Sequence, residues 1–238
     1  MSPEFTTEAL VVEHAERLYR LGLLPVPLCH PIASGGRCSA GMHVHDPPSF
    51  TGSGRTPVVA GFMEWRKSPP PFLYLVNQLK RHRPANLALV LPADIVAVET
   101  HSSAADAEVR RLVGALATPC RRGRTGPNGW IFSLPPGMTI ANQDHLGSSG
   151  RISLRASGLF VAPPSVHVRG YRYEWERAPW DTAVARIPDN LLELIREPQL
   201  VLSSCGEIGQ GKKEEARPVM AAPRSPCVAR ARRMLQWK

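Results

Sequence analysis

Two short apolar runs constrain this chain more than any other feature: "ANLALVL" (85–91) and "IVAVE" (95–99), separated by Pro92-Ala93-Asp94. Each is continuously apolar, short and bounded by turn formers, so both read as buried strands. The second run ends at Glu99-Thr100-His101 and is followed by "SAADAEVRRLVGAL" (103–116), a helix with Ser102 or Ser103 as its cap. The chain therefore mixes helix and buried strand, and its polar strand exit, "VETH", carries one carboxylate and one imidazole where chemistry can sit.

Other segments extend the pattern. "TEALVVEHAERLYRL" (7–21) reads as a helix with Thr6 or Thr7 at its start and Gly22 after its end. Leu10, His14, Leu18 and Leu21 are expected on one face, and Glu13–Arg17 and Glu16–Arg20 form favourable i,i+4 pairs. The opening "MSPEF" resembles a cloning remnant with no part in the fold. "LPVPL" (24–28) is a short strand whose prolines place it at a sheet edge. "PFLYLVNQLKRH" (71–82) is a second helix, with Phe72, Leu75, Val76 and Leu79 on one face. "GWIFSL" (129–134) and "ISLRASGLFVAP" (152–163) are strands. "LFVAPPSVHVRGYRYEW" (159–175) reads as a hairpin turning at Arg169-Gly170, and "NLLELIRE" (190–197) as a short helix.

At 238 residues, 43% of them hydrophobic, the chain can bury a full domain core. Residues 7–205 are expected to form that domain. Residues 206–238 hold eight basic and three acidic residues among glycines and prolines, and are expected to be a disordered basic tail. The formal charge of +9, carried mostly by Arg, suits an anionic partner; a coding bias towards Arg, Ala and Pro explains it as well. No run approaches the ~18 apolar residues of a membrane span, and no basic-then-apolar leader opens the chain. Five scattered cysteines argue against a disulfide framework, so the expected compartment is the cytoplasm, with nucleoid association as one form of it.

Several of these pieces, in this order, resemble the bifunctional primase-polymerase family of the archaeo-eukaryotic primase superfamily. The likeness spans about residues 7–176: "LGLLPVPL" after the first helix, "GGRCSAGMH…SGRTP", "ANLALVL…IVAVE", "TGPNGWIFSLP", and "PPS" leading into "GYRYEW". The resemblance implies an α/β (α+β) fold in which an RRM-like antiparallel sheet flanked by helices joins a smaller α/β unit. It also implies nucleotidyl transfer on carboxylates that hold two divalent metals about 4 Å apart. Here the sequence departs from the pattern. The acidic pair of the first motif corresponds to Glu99 and His101, the histidine of the second to Ile131, and the carboxylate of the third to Ser153. One formal negative charge stands where the family has three, and an imidazole is a poor ligand for magnesium.

The expectation is a pseudoenzyme that binds nucleic acid, DNA foremost, or nucleotides. Its candidate phosphate contacts are Arg121, Arg122, Arg124, Arg151, Arg155, Arg169 and Arg172; the alternative is a set of solvated strand-edge arginines. Trp130, Phe160, Tyr171, Tyr173 and Trp175 can stack on bases, although most strand aromatics belong to cores. The loop "LCHPIASGGRCSAGMHVHD" offers Cys29, Cys38, His43 and His45 for a structural zinc, or is an ordinary polar loop. Two rival readings stand beside the first: an active primase-polymerase using Glu99 and His101 with manganese, and an adaptor whose basic tail docks an acidic protein partner.

Overall fold

The structure, a computed structural model, describes residues 3–31, 54–123 and 128–196. In chain order these residues form α1 (Pro3–Arg20), β1 (Leu24–Leu28), a 3₁₀ turn (Phe62–Arg66), α2 (Phe72–Arg81), β2 (Asn86–Val90), β3 (Ile95–Thr100) and α3 (Ser103–Val113). They continue with β4 (Cys120–Arg122), β5 (Gly129–Ser133), β6 (Gln143–Leu146), β7 (Ile152–Arg155), β8 (Leu159–Ala162), β9 (Glu174–Arg177) and α4 (Asp189–Arg196).

The strands make two sheets with antiparallel pairing throughout: a six-stranded one in the order β6-β7-β3-β5-β4-β9 and a three-stranded one in the order β1-β2-β8. Alternation along each strand sends successive side chains to opposite faces and so divides the core. Val96 and Val98 of β3 pack with Trp130, Phe132 and Leu154 beneath Val109 of α3 and Leu191 of α4. Ala97 and Ile131 face the other way, onto Leu87 and Leu89 of β2, Phe160 of β8, and Val11, Ala15 and Leu18 of α1. The remaining face of the small sheet, with Val26, Leu28, Ala88 and Val90, is covered by Trp65 and by Leu75 of α2. This is the antiparallel sheet flanked by helices, joined to a smaller α/β layer, that the family resemblance implied.

Local structure follows its local causes. Ser102 caps α3 by accepting the Ala105 amide at 3.2 Å, and β1 lies at a sheet edge, where prolines are tolerated. Glu13–Arg17 and Glu16–Arg20 pair at 2.8 and 2.5 Å.

Four details differ from the sequence reading. The buried stripe of α1 is Val11, Ala15 and Leu18, with Leu10 and His14 half-buried, while Leu21 lies past the helix end at Arg20 and is exposed. That helix begins at Pro3, within the residues expected to lie outside the fold. The two consecutive apolar runs do not pair: β2 belongs to the small sheet and β3 to the large one, so the Pro92–Asp94 turn is a crossover. The run 152–163 is likewise two strands, β7 and β8, one in each sheet, broken before Gly158 (φ 97°) ends the turn.

The two crossovers meet, with the Leu91 amide 3.4 Å from the Gly158 carbonyl. Beyond β8 only the tip of the expected hairpin closes: Tyr173 N donates to Ser165 O and His167 N to Tyr171 O, both at 2.8 Å. The strands on either side diverge, β8 to β2 and β9 to β4.

Candidate functional site

Glu99 lies near the end of β3, opposite Gly129 of β5 on one side and Ser153 of β7 on the other; Gly129 in turn lies opposite Arg121 of β4. Directly opposed residues share a sheet face, so Ser153, Glu99, Gly129 and Arg121 form one row at the seam between the two sheets. Neighbouring strands are about 4.8 Å apart, which puts the Glu99 and Arg121 backbones about 10 Å from each other. An arginine side chain spans that gap only over a bare backbone. A Cβ on Gly129 would lie 2.6 Å from the Phe160 ring and 2.9 Å from Arg121 Nε.

Across this glycine Arg121 donates through Nη2 to Glu99 Oε1, and through Nη1 to the Val161 carbonyl at 2.6 Å. Its guanidinium is stacked between aromatic rings, 4.4 Å from the Phe160 centroid and 4.5 Å from that of Tyr173. The side chain is 1% exposed and that of Glu99 is 15% exposed. Burial of this depth makes each charge dependent on the other, since removing one partner of a buried pair costs about 3–5 kcal/mol. The expectation that Arg121 is an open phosphate contact does not fit this placement: strand parity turns it inward while Arg122 is exposed.

The rest of the row is also occupied. Ser153 is buried, and its Oγ lies 3.0 Å from His101 Nε2. His101 is exposed as a residue, yet desolvation of its ring lowers its pKa. Glu99 opposes that shift, and the guanidiniums of Arg55, Arg155 and Arg121 reinforce it. Arg155 binds Asp144 of β6 through both Nη atoms at 2.6 and 3.1 Å and brings its Nε within 3.9 Å of Glu99 Oε2. Asp144 is held below the usual carboxylate range by Arg155 first and Ser153 second. Ile131, opposite Ala97, is fully buried among apolar side chains and offers the site no polar group.

Among the other expected residues, Arg151 and Arg169 are exposed and Arg172 is half-buried. Cys29 is buried, with its amide donating to Thr56 O at 2.8 Å. Cys38, His43, His45 and Arg124 lie outside the described residues, as does the tail 206–238. Of the aromatics, Trp130, Phe160 and Tyr173 are core, while Tyr171 and Trp175 are half-buried.

Sequence reasoning missed Arg55. Its neighbour Gly54 (φ 74°) has a backbone that L side chains rarely adopt, and a Cβ there would meet Asn86 Nδ2 at 3.0 Å and Pro31 Cδ at 3.1 Å. The buried Asn86 amide donates to Gly54 O at 3.0 Å and to Val166 O at 2.7 Å, and accepts from Val166 N at 2.9 Å. This clamp ties Gly54 to Val166 of the 165–173 hairpin, and the residue after Gly54, Arg55, is exposed. The charge of Arg55 acts on His101, His167 and Tyr171. His167, stacked on Tyr171 at 4.5 Å, is pushed down to about 4 by burial and then by Arg55, Arg169 and Arg121. The available sequence signal was the Gly-Arg-Thr-Pro string closing the loop.

A two-metal centre requires carboxylates that converge with their charge unspent. Here Glu99 is joined to Arg121 and Asp144 to Arg155, so both carboxylates already have internal cations. The residues present do not fit that centre, and among the described residues no group of three or more His, Cys, Asp or Glu is placed to hold a metal ion.

An antiparallel sheet backed by helices, with a smaller α/β layer on its other face and a polar row at the seam, defines a primase-polymerase-like protein. The family described as bifunctional DNA primase/polymerase, N-terminal, matches residues 13–190, about three quarters of the chain, and the chain belongs to it. No curated protein matches the chain. Membership carries a primase/polymerase-like, nucleic-acid-related function. Among the described residues no helix is long and apolar enough to cross a membrane.

Proposed function

We propose that this protein is a non-catalytic member of the primase-polymerase family that binds DNA or nucleotides. The observation that carries this reading is the burial of Arg121 against Glu99 across Gly129. Divalent-metal catalysis of phosphoryl transfer needs anionic oxygens to hold the cations, and the one carboxylate remaining at the three motif positions is neutralised from inside the fold. Ser153 and His101 are bonded to each other, and Ile131 is part of the core. Exposed cations remain for an anionic partner: Arg55, Arg151 just before β7, and Arg169 on the hairpin. The tail 206–238 adds eight further cations to the phosphate contacts this reading requires.

The test is a primer-extension assay with magnesium and with manganese, alongside DNA binding measured across a salt series. We expect no incorporation, and binding that weakens with salt. Incorporation that disappears in Glu99→Ala sinks the non-catalytic reading. Absence of binding to DNA and to nucleotides alike would leave the adaptor as the better account.

A further inference from the structure

We propose that the outer layer of the small sheet docks an acidic peptide segment of another protein, with one apolar side chain entering a cleft beside Arg66. The 3₁₀ turn Phe62–Arg66 covers that face only in part. Between it, the end of α1 and the Val90 end of β2 lies a cavity of about 360 Å³. Tyr19, Leu24, Trp65, Pro69 and Val90 give it an apolar lining, and Arg66 is the one charged residue there. Tyr19 fixes one wall: its hydroxyl donates to the Pro70 carbonyl at 2.9 Å, and its ring lies 5.3 Å from that of Phe72 of α2. Single exposed apolar side chains are ordinary on a protein surface. Here the large ones exposed among the described residues, Leu21, Met63, Leu73 and Tyr74, all sit on the segments that frame this cavity. Leu21 precedes Gly22 of the lining, and Met63 shares the turn with Trp65. The Tyr74 ring meets Trp65 edge-on at 6.1 Å, with Leu73 beside it in sequence. Apolar surface concentrated in this way marks an interaction site.

Charge and size select the occupant. Arg66 is half-buried, and among the described residues no carboxylate pairs with it, whereas Lys67 pairs with Glu64 at 3.7 Å and Arg20 with Glu16 at 2.5 Å. From Trp65 to Ala93, through α2 and β2, the chain has five Lys or Arg residues and no Asp or Glu. A carboxylate beside the entering side chain meets Arg66 in a partly desolvated setting, where a charge-assisted bond is stronger than on open surface. A small apolar acid confined to the cavity would leave Leu21, Met63, Leu73 and Tyr74 in water. A chain of several residues covers them as well, which favours a peptide. Aromatic anchors and arginines seated in pockets are the side chains that dominate such interfaces. Neither the cleft nor its rim includes a residue of the row at Glu99, so this site stands apart from DNA or nucleotide binding.

A phage library of random dodecapeptides selected on the full chain tests this, with the enriched sequences then titrated as synthetic peptides by isothermal calorimetry. Enrichment is expected for a large apolar residue flanked by Asp or Glu. Arg66→Glu is expected to weaken those peptides by about tenfold or more, Arg66→Lys by less, and Tyr74→Ser by several-fold. Neither position is fully buried, and thermal melts verify that the variants keep the fold. Failure to enrich any peptide overturns the inference, as does enrichment of apolar sequences lacking carboxylates, or affinity indifferent to Arg66→Glu. Self-association of the chain that Tyr74→Ser abolishes in sedimentation velocity also overturns it, because a second copy is then the occupant. DNA binding by Tyr74→Ser is expected to equal that of the parent chain. Its loss would make nucleic acid, not peptide, the occupant of this wall and would overturn the inference.

Discussion

The Arg121 guanidinium reaches the Glu99 carboxylate over the bare backbone of Gly129, so two residues on non-adjacent strands form a buried ion pair. On the non-catalytic reading proposed above, Glu99 serves as a structural anion. Its loss should now be felt in stability rather than in turnover.

Arg121→Ala is expected to destabilise the domain by about 3–5 kcal/mol, and Glu99→Ala by a comparable amount, because each leaves a charge in the interior without its partner. Glu99→Ala combined with Arg121→Ala should cost clearly less than the sum of the two single changes. Denaturant unfolding of the four proteins measures that coupling. Strict additivity would mean that the pair is not formed.

Gly129→Ala places a methyl group where the Phe160 ring and the Arg121 side chain already lie. Overpacking of this kind costs about 1–3 kcal/mol. Phe160→Leu introduced into Gly129→Ala should recover part of the lost melting temperature, since it removes the closest atoms. An unaffected melting temperature for Gly129→Ala would contradict the close approach.

Acid should destabilise the fold before its carboxylates titrate. His14, His30, His82, His101 and His167 are all shifted below the ordinary imidazole pKa of about 6.5 by burial first of all. A group with a depressed imidazole pKa binds protons more readily in the unfolded chain, so stability declines as pH falls below about 6.5. For His167 the decline continues to about pH 4. Unfolding free energies measured between pH 7 and 4.5 should fall with pH, and His167→Gln should flatten part of that slope. Arg55→Ala should raise the His167 pKa in an NMR titration.

Deletion of residues 206–238 is expected to weaken DNA binding and flatten its salt dependence without unfolding the domain. Each phosphate contact that releases a counterion contributes about 0.7–0.9 to the slope. Equal slopes for the full and shortened chains would place the contacts elsewhere.

The zinc proposal for Cys29, Cys38, His43 and His45 predicts about one equivalent of metal in protein purified without chelator, lost in Cys38→Ser together with some stability. Metal analysis finding none removes it.

Much of the fold was legible from local pattern. The helices at 72–81, 103–113 and 189–196 and the strands at 86–90, 95–100 and 129–133 announce themselves through periodicity, caps and turn residues, all of which act within a few positions of the chain. Partners were not legible. A continuous apolar run signals burial on both faces without saying against what, so nothing in 85–99 told that β2 and β3 enter different sheets. The same limit hid the fate of Arg121. Whether that guanidinium faces solvent phosphate or an internal carboxylate depends on strand parity, on β5 lying between β3 and β4, and on the one missing side chain at Gly129. Gly54 is the converse case: a residue tied through Asn86 to Val166 of the hairpin, the two lying 32 and 112 positions away in sequence. Local sequence determined the elements and the residues available for chemistry; register and packing between distant segments decided which of those charges would meet each other and which would remain to meet a ligand.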